Sequence, residues 1–158
     1  MSGELDIALV SVGGGALALM HRPRLKSLPA LRAFGVTHIV TLLAEREGAR
    51  QIGDVAVAAG LTWIWIPLDS GDVPSAARTA ELRAALARLA CAITGGSWIV
   101  VHCSAGIHRT GMFGYALLRQ LGLTVGQARA KLAELREVTA ASVGDDRLAW
   151  GDSLAGMP

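Results

Sequence analysis

The apolar positions of this chain fall into short blocks whose spacing changes between the period of a strand and that of a helix. Blocks that alternate at every second residue, or that are rich in β-branched side chains, predict strands. These strands cover residues 5–10, 16–20, 37–43, 61–67 and 97–102. Within residues 61–67, the period of two places Trp63 and Trp65 on one face and Ile64 and Ile66 on the other.

Blocks with apolar residues three or four positions apart predict helices over residues 28–34, 47–59, 74–94, 110–121 and 124–138, with a last turn at 145–152. We expect Ser27 to cap the first helix and Gly35 to end it, and Thr124 with Gln127 has the spacing of a capping box. Strands that alternate with helices predict an α/β fold, with helices flanking a mainly parallel central sheet of about four to five strands. The 158 residues show no linker and are predicted to form a single domain, residues 1–158.

Composition and charge narrow the partners that this chain is expected to have. The 15 Lys and Arg residues nearly balance 13 Asp and Glu, and this net charge of +2 gives no footprint for nucleic acid. The apolar stretch 5–20 carries Glu4 and Asp6 at its start and three glycines at 13–15, so it predicts neither a signal peptide nor a membrane span. Two cysteines without a disulfide pattern predict a cytoplasmic location, and we expect no membrane partner.

One short run, from His102 to Gly111, combines a nucleophile with groups that bind an anion. A predicted strand leads into it and a predicted helix leaves it, so loop amides and the positive end of the helix dipole meet at one place. That field stabilises a thiolate at Cys103 as well as a bound phosphate. Arg109, six positions later, carries a planar and permanently charged fork that fits two phosphate oxygens at once. The amides between them are the candidate phosphate ligands, and they belong to Ser104, Ala105, Gly106, Ile107 and His108.

The run resembles the His-Cys-x5-Arg-Ser/Thr signature of the protein tyrosine phosphatase superfamily. The matching positions are His102, Cys103, Gly106, Arg109, Thr110 and Gly111. The chain length and the late position of the cysteine resemble the compact dual-specificity branch, over about residues 15–140. The resemblance implies hydrolysis of phosphotyrosine, with phosphoserine and phosphothreonine as further substrates, through a cysteinyl-phosphate intermediate. It also implies a phosphorylated protein or peptide as partner, a site that takes phosphate, sulfate or vanadate, and no metal or other cofactor.

The same resemblance implies roles for the remaining site residues. His102 is expected to orient the loop, and the Thr110 hydroxyl to stabilise the sulfur when it leaves. A general acid is expected on a loop some thirty residues upstream of the cysteine, where Asp69 is the favoured candidate and Asp72 the alternative. No spacing of histidines and cysteines fits a metal site.

Two other functions remain as alternatives at this point. One is a phosphatase for a non-protein substrate, such as an inositol phosphate, a phosphoinositide or an RNA 5′-triphosphate. It is disfavoured because the loop carries no lysine for extra phosphates, and only His108 could become cationic. The other is a phosphate-binding module without turnover, disfavoured because both Cys103 and Arg109 are present.

Cys91 and residues 45–47 lie outside the run from His102 to Gly111 and are expected to have structural roles. Cys91 is expected to pack within its helix rather than to form a disulfide with Cys103. Residues 45–47 (Glu-Arg-Glu) are expected to be a solvated helix start, with a structural pair to the loop arginine as the alternative.

Overall fold

In the part of the chain that the structure describes, five strands form one sheet, and the strand that leads to Cys103 lies at its centre. The computed structural model describes residues 7–155. The strands are β1 (Val10–Val12), β2 (Gly15–Met20), β3 (His38–Thr41), β4 (Thr62–Trp65) and β5 (Trp98–His102). Their order is β1-β2-β5-β3-β4, and only β1 runs antiparallel to its neighbour. The predicted α/β class with a mainly parallel sheet is confirmed.

Seven α-helices accompany the sheet within the described part of the chain. They are α1 (Leu28–Phe34), α2 (Ala49–Ala58), α3 (Thr79–Thr94), α4 (His108–Gln120), α5 (Val125–Leu135), α6 (Glu137–Ser142) and α7 (Asp145–Ala155). Short 3₁₀ turns precede three of them, at Leu25–Ser27, Glu45–Glu47 and Ala76–Arg78. No helix within residues 7–155 is both long enough and apolar enough to cross a membrane.

The sheet places three strand ends side by side. In the parallel register, Met20 of β2 and Thr41 of β3 both pair with His102 of β5. All six residues of β2 are buried, as expected for a parallel strand covered on both faces. Groups that follow these three strands therefore meet at the carboxyl edge of the sheet, where α/β folds bind ligands.

Several local predictions are confirmed. Trp63 and Trp65 share a face and stack, with ring centroids 5.6 Å apart and planes 17° apart. Gly35 ends α1 with a φ of 120°, a backbone conformation that side chains disfavour. Thr124 and Gln127 form the capping box, because the Thr124 hydroxyl accepts from the Gln127 amide and the Gln127 side chain accepts from the Thr124 amide.

The predicted boundaries are wrong at several elements. The first strand begins at Val10 rather than residue 5, and residues 5 and 6 lie outside the described part. The helix predicted over 124–138 is interrupted at Arg136, whose backbone is extended (φ −164°, ψ 107°), and α6 follows. The final turn predicted at 145–152 is a full helix, α7.

Three smaller predictions also differ from the structure. Helix α4 begins at His108, two residues before Thr110, because the loop closes sooner than the sequence pattern suggests. Ser27 makes no capping hydrogen bond. It is the last residue of the preceding 3₁₀ turn, so its backbone is helical rather than extended as a capping residue requires. Cys91 is exposed on α3 rather than packed, whereas Cys103 is buried, and both are free thiols.

Candidate active site

The loop of residues 103–107, called the phosphate loop here, joins the end of β5 to the start of α4. The Cys103 side chain lies inside this loop and is only 3% exposed. The Gly106 amide donates to Cys103 Sγ at 3.3 Å, so at least one main-chain N–H is already aimed at the sulfur. The sequence thus folds into the strand, loop and helix N-terminus that suit a thiolate and a phosphate alike.

Gly106 lets the phosphate loop press against the end of β2. Its φ is +74°, and a Cβ at this position would lie 2.5 Å from Met20 O and 2.6 Å from His21 N. No residue with a side chain fits there without moving backbone. The Arg22 amide donates to Ser104 O at 2.8 Å and fixes the loop to the same strand end.

Two residues of the α5–α6 segment hold the outer side of the phosphate loop. Arg136 Nη1 donates to Gly106 O at 2.8 Å and to Ala105 O at 3.3 Å, and the buried Thr139 hydroxyl donates to Gly106 O at 2.5 Å. With their carbonyls held outward, these peptide groups are free to turn their N–H groups inward. Sequence reasoning missed both residues, because Arg136 was expected inside a continuous helix and Thr139 lies just beyond the predicted end of that helix.

Arg109 lies beneath the phosphate loop, where its side chain is 11% exposed. Its guanidinium forms a bidentate pair with Glu47, with Nη1 to Oε2 at 2.8 Å and Nη2 to Oε1 at 3.0 Å. Nη1 also donates to Leu68 O at 2.9 Å. The hydrogen bond to Glu47 raises the pKa of Arg109, with smaller contributions from the Glu47 and Cys103 charges.

Glu47 is therefore a site residue, and the prediction of a solvated helix start is wrong for it. Its bond to Arg109 is the main cause that lowers the pKa of the carboxyl to about 2, against the opposing effect of burial. The Ala44 amide also donates to Oε2, at 2.8 Å, so the carboxylate is fixed from two sides. The alternative, a structural pair with the loop arginine, is the arrangement that the structure has.

His102 is buried and belongs to a hydrogen-bonded chain that crosses three strands. Its Nδ1 lies 3.0 Å from Cys103 O and its Nε2 lies 2.8 Å from Thr41 Oγ1. Trp63 Nε1 donates to the same Thr41 oxygen at 2.9 Å. Burial lowers the pKa of His102 to about 4, so the ring is neutral near pH 7.

The donors and acceptors of this chain permit one arrangement of protons. Cys103 O can only accept, so Nδ1 of His102 carries the hydrogen and Nε2 accepts from the Thr41 hydroxyl. The Thr41 oxygen in turn accepts from Trp63, which can only donate. His102 is thus suited to orient the Cys103 peptide rather than to transfer a proton.

Thr110 lies in the first turn of α4 and is fully buried. Its hydroxyl makes no hydrogen bond within residues 7–155. A buried hydroxyl without a partner costs free energy, and functional sites are where such groups are retained. The hydroxyl is therefore available to a ligand or to sulfur.

The loop of residues 67–73, called the acid loop here, carries both candidate acids beside the phosphate loop. A Cβ on Gly71 would lie 2.9 Å from His108 Cβ, so the acid loop touches the first residue of α4, which follows the phosphate loop. The Asp69 side chain is 87% exposed and lies 3.6 Å from Arg46. Asp72 is also exposed, and its amide donates to Ser70 Oγ at 3.2 Å.

The structure places His102 at the end of β5, Cys103 in the phosphate loop, and Arg109 and Thr110 in the first turn of α4. One loop amide, that of Gly106, donates to the sulfur, and both Asp69 and Asp72 are exposed. The structure adds Glu47, Arg136, Thr139 and Thr41, which were not among the predicted site residues. Within residues 7–155 there is no cluster of three or more His, Cys, Asp or Glu side chains that could hold a metal ion.

The sheet order, the late Cys-x5-Arg loop and the arginine beneath it define a compact, dual-specificity-phosphatase-like member of the protein tyrosine phosphatase superfamily. A family model described as "Tc-R-P: Polymorphic toxin system, DSP-PTPase phosphatase" matches residues 14–122, and the chain belongs to this family. No curated protein matches the sequence.

Solved phosphatase structures share the fold at low sequence identity. Tk-PTP in its active form superimposes with a TM-score of 0.77 at 20% identity, covering 98% of this chain and 100% of that one. Kinase associated phosphatase (KAP), with its catalytic-site cysteine replaced by serine, gives 0.75 at 18% identity and covers 97% of each chain. A cysteine-to-serine variant of P. aeruginosa TpbA in complex with pTyr gives 0.55 at 18% identity, covering 96% of this chain and 98% of that one.

Proposed function

We propose that this protein hydrolyses phosphate monoesters by way of a phosphate bound covalently to Cys103. The observation that carries the proposal is a buried sulfur, a loop amide that donates to it, and beside them a fixed guanidinium in the first turn of α4 that feels the charge of Cys103. Such a site offers a nucleophile and a set of positive groups where the charge of a transferring phosphoryl group develops.

The reaction has two displacement steps at phosphorus. The Cys103 thiolate attacks, the S–P bond forms, and the bond from phosphorus to the ester oxygen breaks. That oxygen leaves with a proton from an acid-loop carboxyl, for which we favour Asp69. Water then attacks phosphorus and gives a proton to the same carboxylate, the S–P bond breaks, and the buried Thr110 hydroxyl donates to the departing sulfur.

Phosphotyrosine in a protein or peptide is the substrate class that we favour. The phosphate loop carries no lysine that could meet a second phosphate. The TpbA variant that shares the fold binds pTyr. An inositol phosphate, a phosphoinositide or an RNA 5′-triphosphate is therefore a less suitable substrate.

The test compares wild type with Cys103→Ser on 4-nitrophenyl phosphate, a phosphotyrosyl peptide, a phosphoseryl peptide and inositol hexakisphosphate. We expect the wild type to turn over the aryl phosphate and the phosphotyrosyl peptide, with inhibition by vanadate and no effect of chelators. Cys103→Ser should lose turnover and still bind vanadate. Equal activity of the two proteins contradicts the mechanism, and a preference for the inositol phosphate contradicts the substrate class.

The same assay assigns the acid. Asp69→Ala should slow hydrolysis of phenyl phosphate, a poor leaving group, far more than that of 4-nitrophenyl phosphate. Asp72→Ala serves as the matched control on the same loop. If Asp72→Ala shows the selective loss and Asp69→Ala does not, Asp72 is the acid.

A further inference from the structure

The acid loop is held by arginines through its main chain. Four of its carbonyl oxygens accept from arginines of different elements: Pro67 from Arg78 at 2.6 Å, Leu68 from Arg109 at 2.9 Å, Asp69 from Arg46 at 2.9 Å, and Gly71 from Arg147. A surface loop of small and polar residues has little apolar area with which to fix its own conformation. Here charged donors supply that constraint.

The two ends of the acid loop are held differently. Leu68 is 3% exposed, so burial anchors the loop where it leaves the sheet. Beyond Leu68 the loop is exposed, and Val73 is 44% exposed. In this outer part the main chain is held by Arg46 at Asp69 and by Arg147 at Gly71.

Arg147 is the firmer of these two outer contacts. The Arg46 side chain is 66% exposed, whereas Arg147 is half-buried and its Nη1 also donates to Val143 O at 2.8 Å. The Arg147 Nη2 atom lies 3.4 Å from the position that a Gly71 Cβ would occupy. The guanidinium therefore lies along the Gly71 peptide rather than merely near it.

The helix that carries Arg147 is itself fixed to the helix behind the phosphate loop. The Tyr115 hydroxyl of α4 donates to Asp152 at 2.6 Å, and Arg119 Nε donates to the same oxygen at 2.9 Å. Gly151 packs directly on Tyr115 and on the backbone of Ala116. Arg147 thus connects a rigid helix to the outer part of the acid loop.

We propose that Arg147 is a positioning residue that sets where the acid-loop carboxylate meets the leaving oxygen. The proposal rests on the proposed function, because it requires proton transfer from this loop. A general acid acts only within hydrogen-bond reach of the atom that it protonates, and a shift of about 1 Å can cost about a hundredfold in rate. Arg147 lies in α7, beyond the residues 14–122 that the family model matches.

The experiment uses leaving groups that need the acid to different degrees. Arg147→Gln should lower kcat/KM for phenyl phosphate by about tenfold or more, a smaller loss than the roughly 10² to 10⁴ that removal of a general acid costs. Hydrolysis of 4-nitrophenyl phosphate, whose leaving group needs little protonation, should change far less. Arg147→Lys keeps a donor for Gly71 O and should recover part of the phenyl phosphate rate.

Asp146→Asn is the matched control on the same helix. Asp146 is the exposed neighbour of Arg147 in α7, so its replacement should leave kcat/KM for both substrates unchanged. An equal fall on both substrates in Arg147→Gln, or no fall at all, overturns the role of Arg147 and leaves the proposed function standing. Absence of Cys103-dependent turnover in the wild type overturns both.

Discussion

Arg109 uses some of its N–H groups for contacts with the protein and leaves others free for the phosphate that we propose it binds. An arginine has five such donors in a fixed plane. Glu47 and Leu68 O take both hydrogens of Nη1 and one of Nη2. Within residues 7–155, these contacts leave Nε–H and the second Nη2–H on one edge of the guanidinium. Such an edge can donate to two oxygens of a phosphate in parallel, which is the role that we propose for it.

Glu47→Gln should therefore weaken the site although Glu47 does not face the substrate. An amide can accept from only one of the two guanidinium nitrogens, so the plane of Arg109 is no longer fixed. Loss of the Glu47 charge by itself favours binding of an anion. We expect the opposite effect to be larger, because a guanidinium that is free to rotate no longer presents its two N–H groups together. We expect kcat/KM for 4-nitrophenyl phosphate to fall by about tenfold, the cost of about one charged hydrogen bond.

Glu45→Gln is the control for this substitution. Glu45 lies two residues away, is exposed, and contacts Arg50 at 3.4 Å rather than Arg109. Its replacement should leave kcat/KM unchanged. If the two variants behave alike, the Glu47–Arg109 pair does not orient the fork.

At the scale of elements, side chains from three neighbouring strands fix the peptide that follows the nucleophile. Trp63 of β4, Thr41 of β3 and His102 of β5 form a single line of hydrogen bonds that ends at Cys103 O. Since each bond determines the direction of the next, the sheet itself selects the histidine tautomer. The Gly106 amide, which donates to the sulfur, lies two peptide groups further along the same loop.

Thr41→Val tests this line because valine has the shape of threonine without the hydroxyl. His102 Nε2 then has no donor, so the tautomer with its hydrogen on Nε2 becomes competitive. In that tautomer the Cys103 carbonyl oxygen faces the lone pair of Nδ1 instead of an N–H group. We expect alkylation of Cys103 by iodoacetate at pH 6 to slow by on the order of fivefold, since one hydrogen bond contributes about 1 kcal/mol. Thr37→Val removes a hydroxyl 2.8 Å from His38 at the other end of β3, and should leave the rate unchanged.

The sequence contained enough to predict those parts of the fold and site that depend on local patterns. The order of strands and helices, the parallel sheet and the run from His102 to Gly111 all follow from periodicity and from neighbouring residues. The capping box at Thr124 was predictable because its two partners lie three residues apart.

The parts that were missed depend on contacts between distant residues. Glu47 and Arg109 are 62 positions apart, and Arg147 and Gly71 are 76 apart. No local spacing distinguishes Glu47 from the exposed Glu45 beside it, because only the fold brings one of them to the loop arginine. The break at Arg136 was missed for a similar reason, since the extended backbone there is stabilised by the phosphate loop that Arg136 contacts.

At the scale of the whole molecule, two groups of the site should make the free energy of unfolding fall as the pH is lowered. The pKa of Glu47 is lowered to about 2 from an ordinary 4.5, so its contribution is present above pH 4.5 and is lost as the pH falls towards 2. The pKa of His102 is lowered to about 4 from 6.5, so the unfolded chain binds a proton that the folded protein does not. Stability therefore also falls from pH 6.5 down to about 4.

Urea unfolding of wild type and Glu47→Gln from pH 7 to pH 3 separates the two effects. We expect the difference in unfolding free energy between the proteins to be constant above pH 5 and to shrink below it. The decline above pH 4.5 that His102 causes should remain in both. A difference that stays constant down to pH 3 would mean that Glu47 has an ordinary pKa in the folded protein.

The family model matches residues 14–122, but residues that hold the phosphate loop and the acid loop lie further along the chain, as far as Arg147. A copy cut after Gly122 would still contain the whole of residues 14–122, so a genome survey would count it as a member of the family. Such a copy would lack Arg136 and Thr139, which hold the outer side of the phosphate loop. It would also lack Arg147, which donates to Gly71 O in the acid loop. Intact signature residues in a shortened gene are therefore no guide to whether its product still has a working centre.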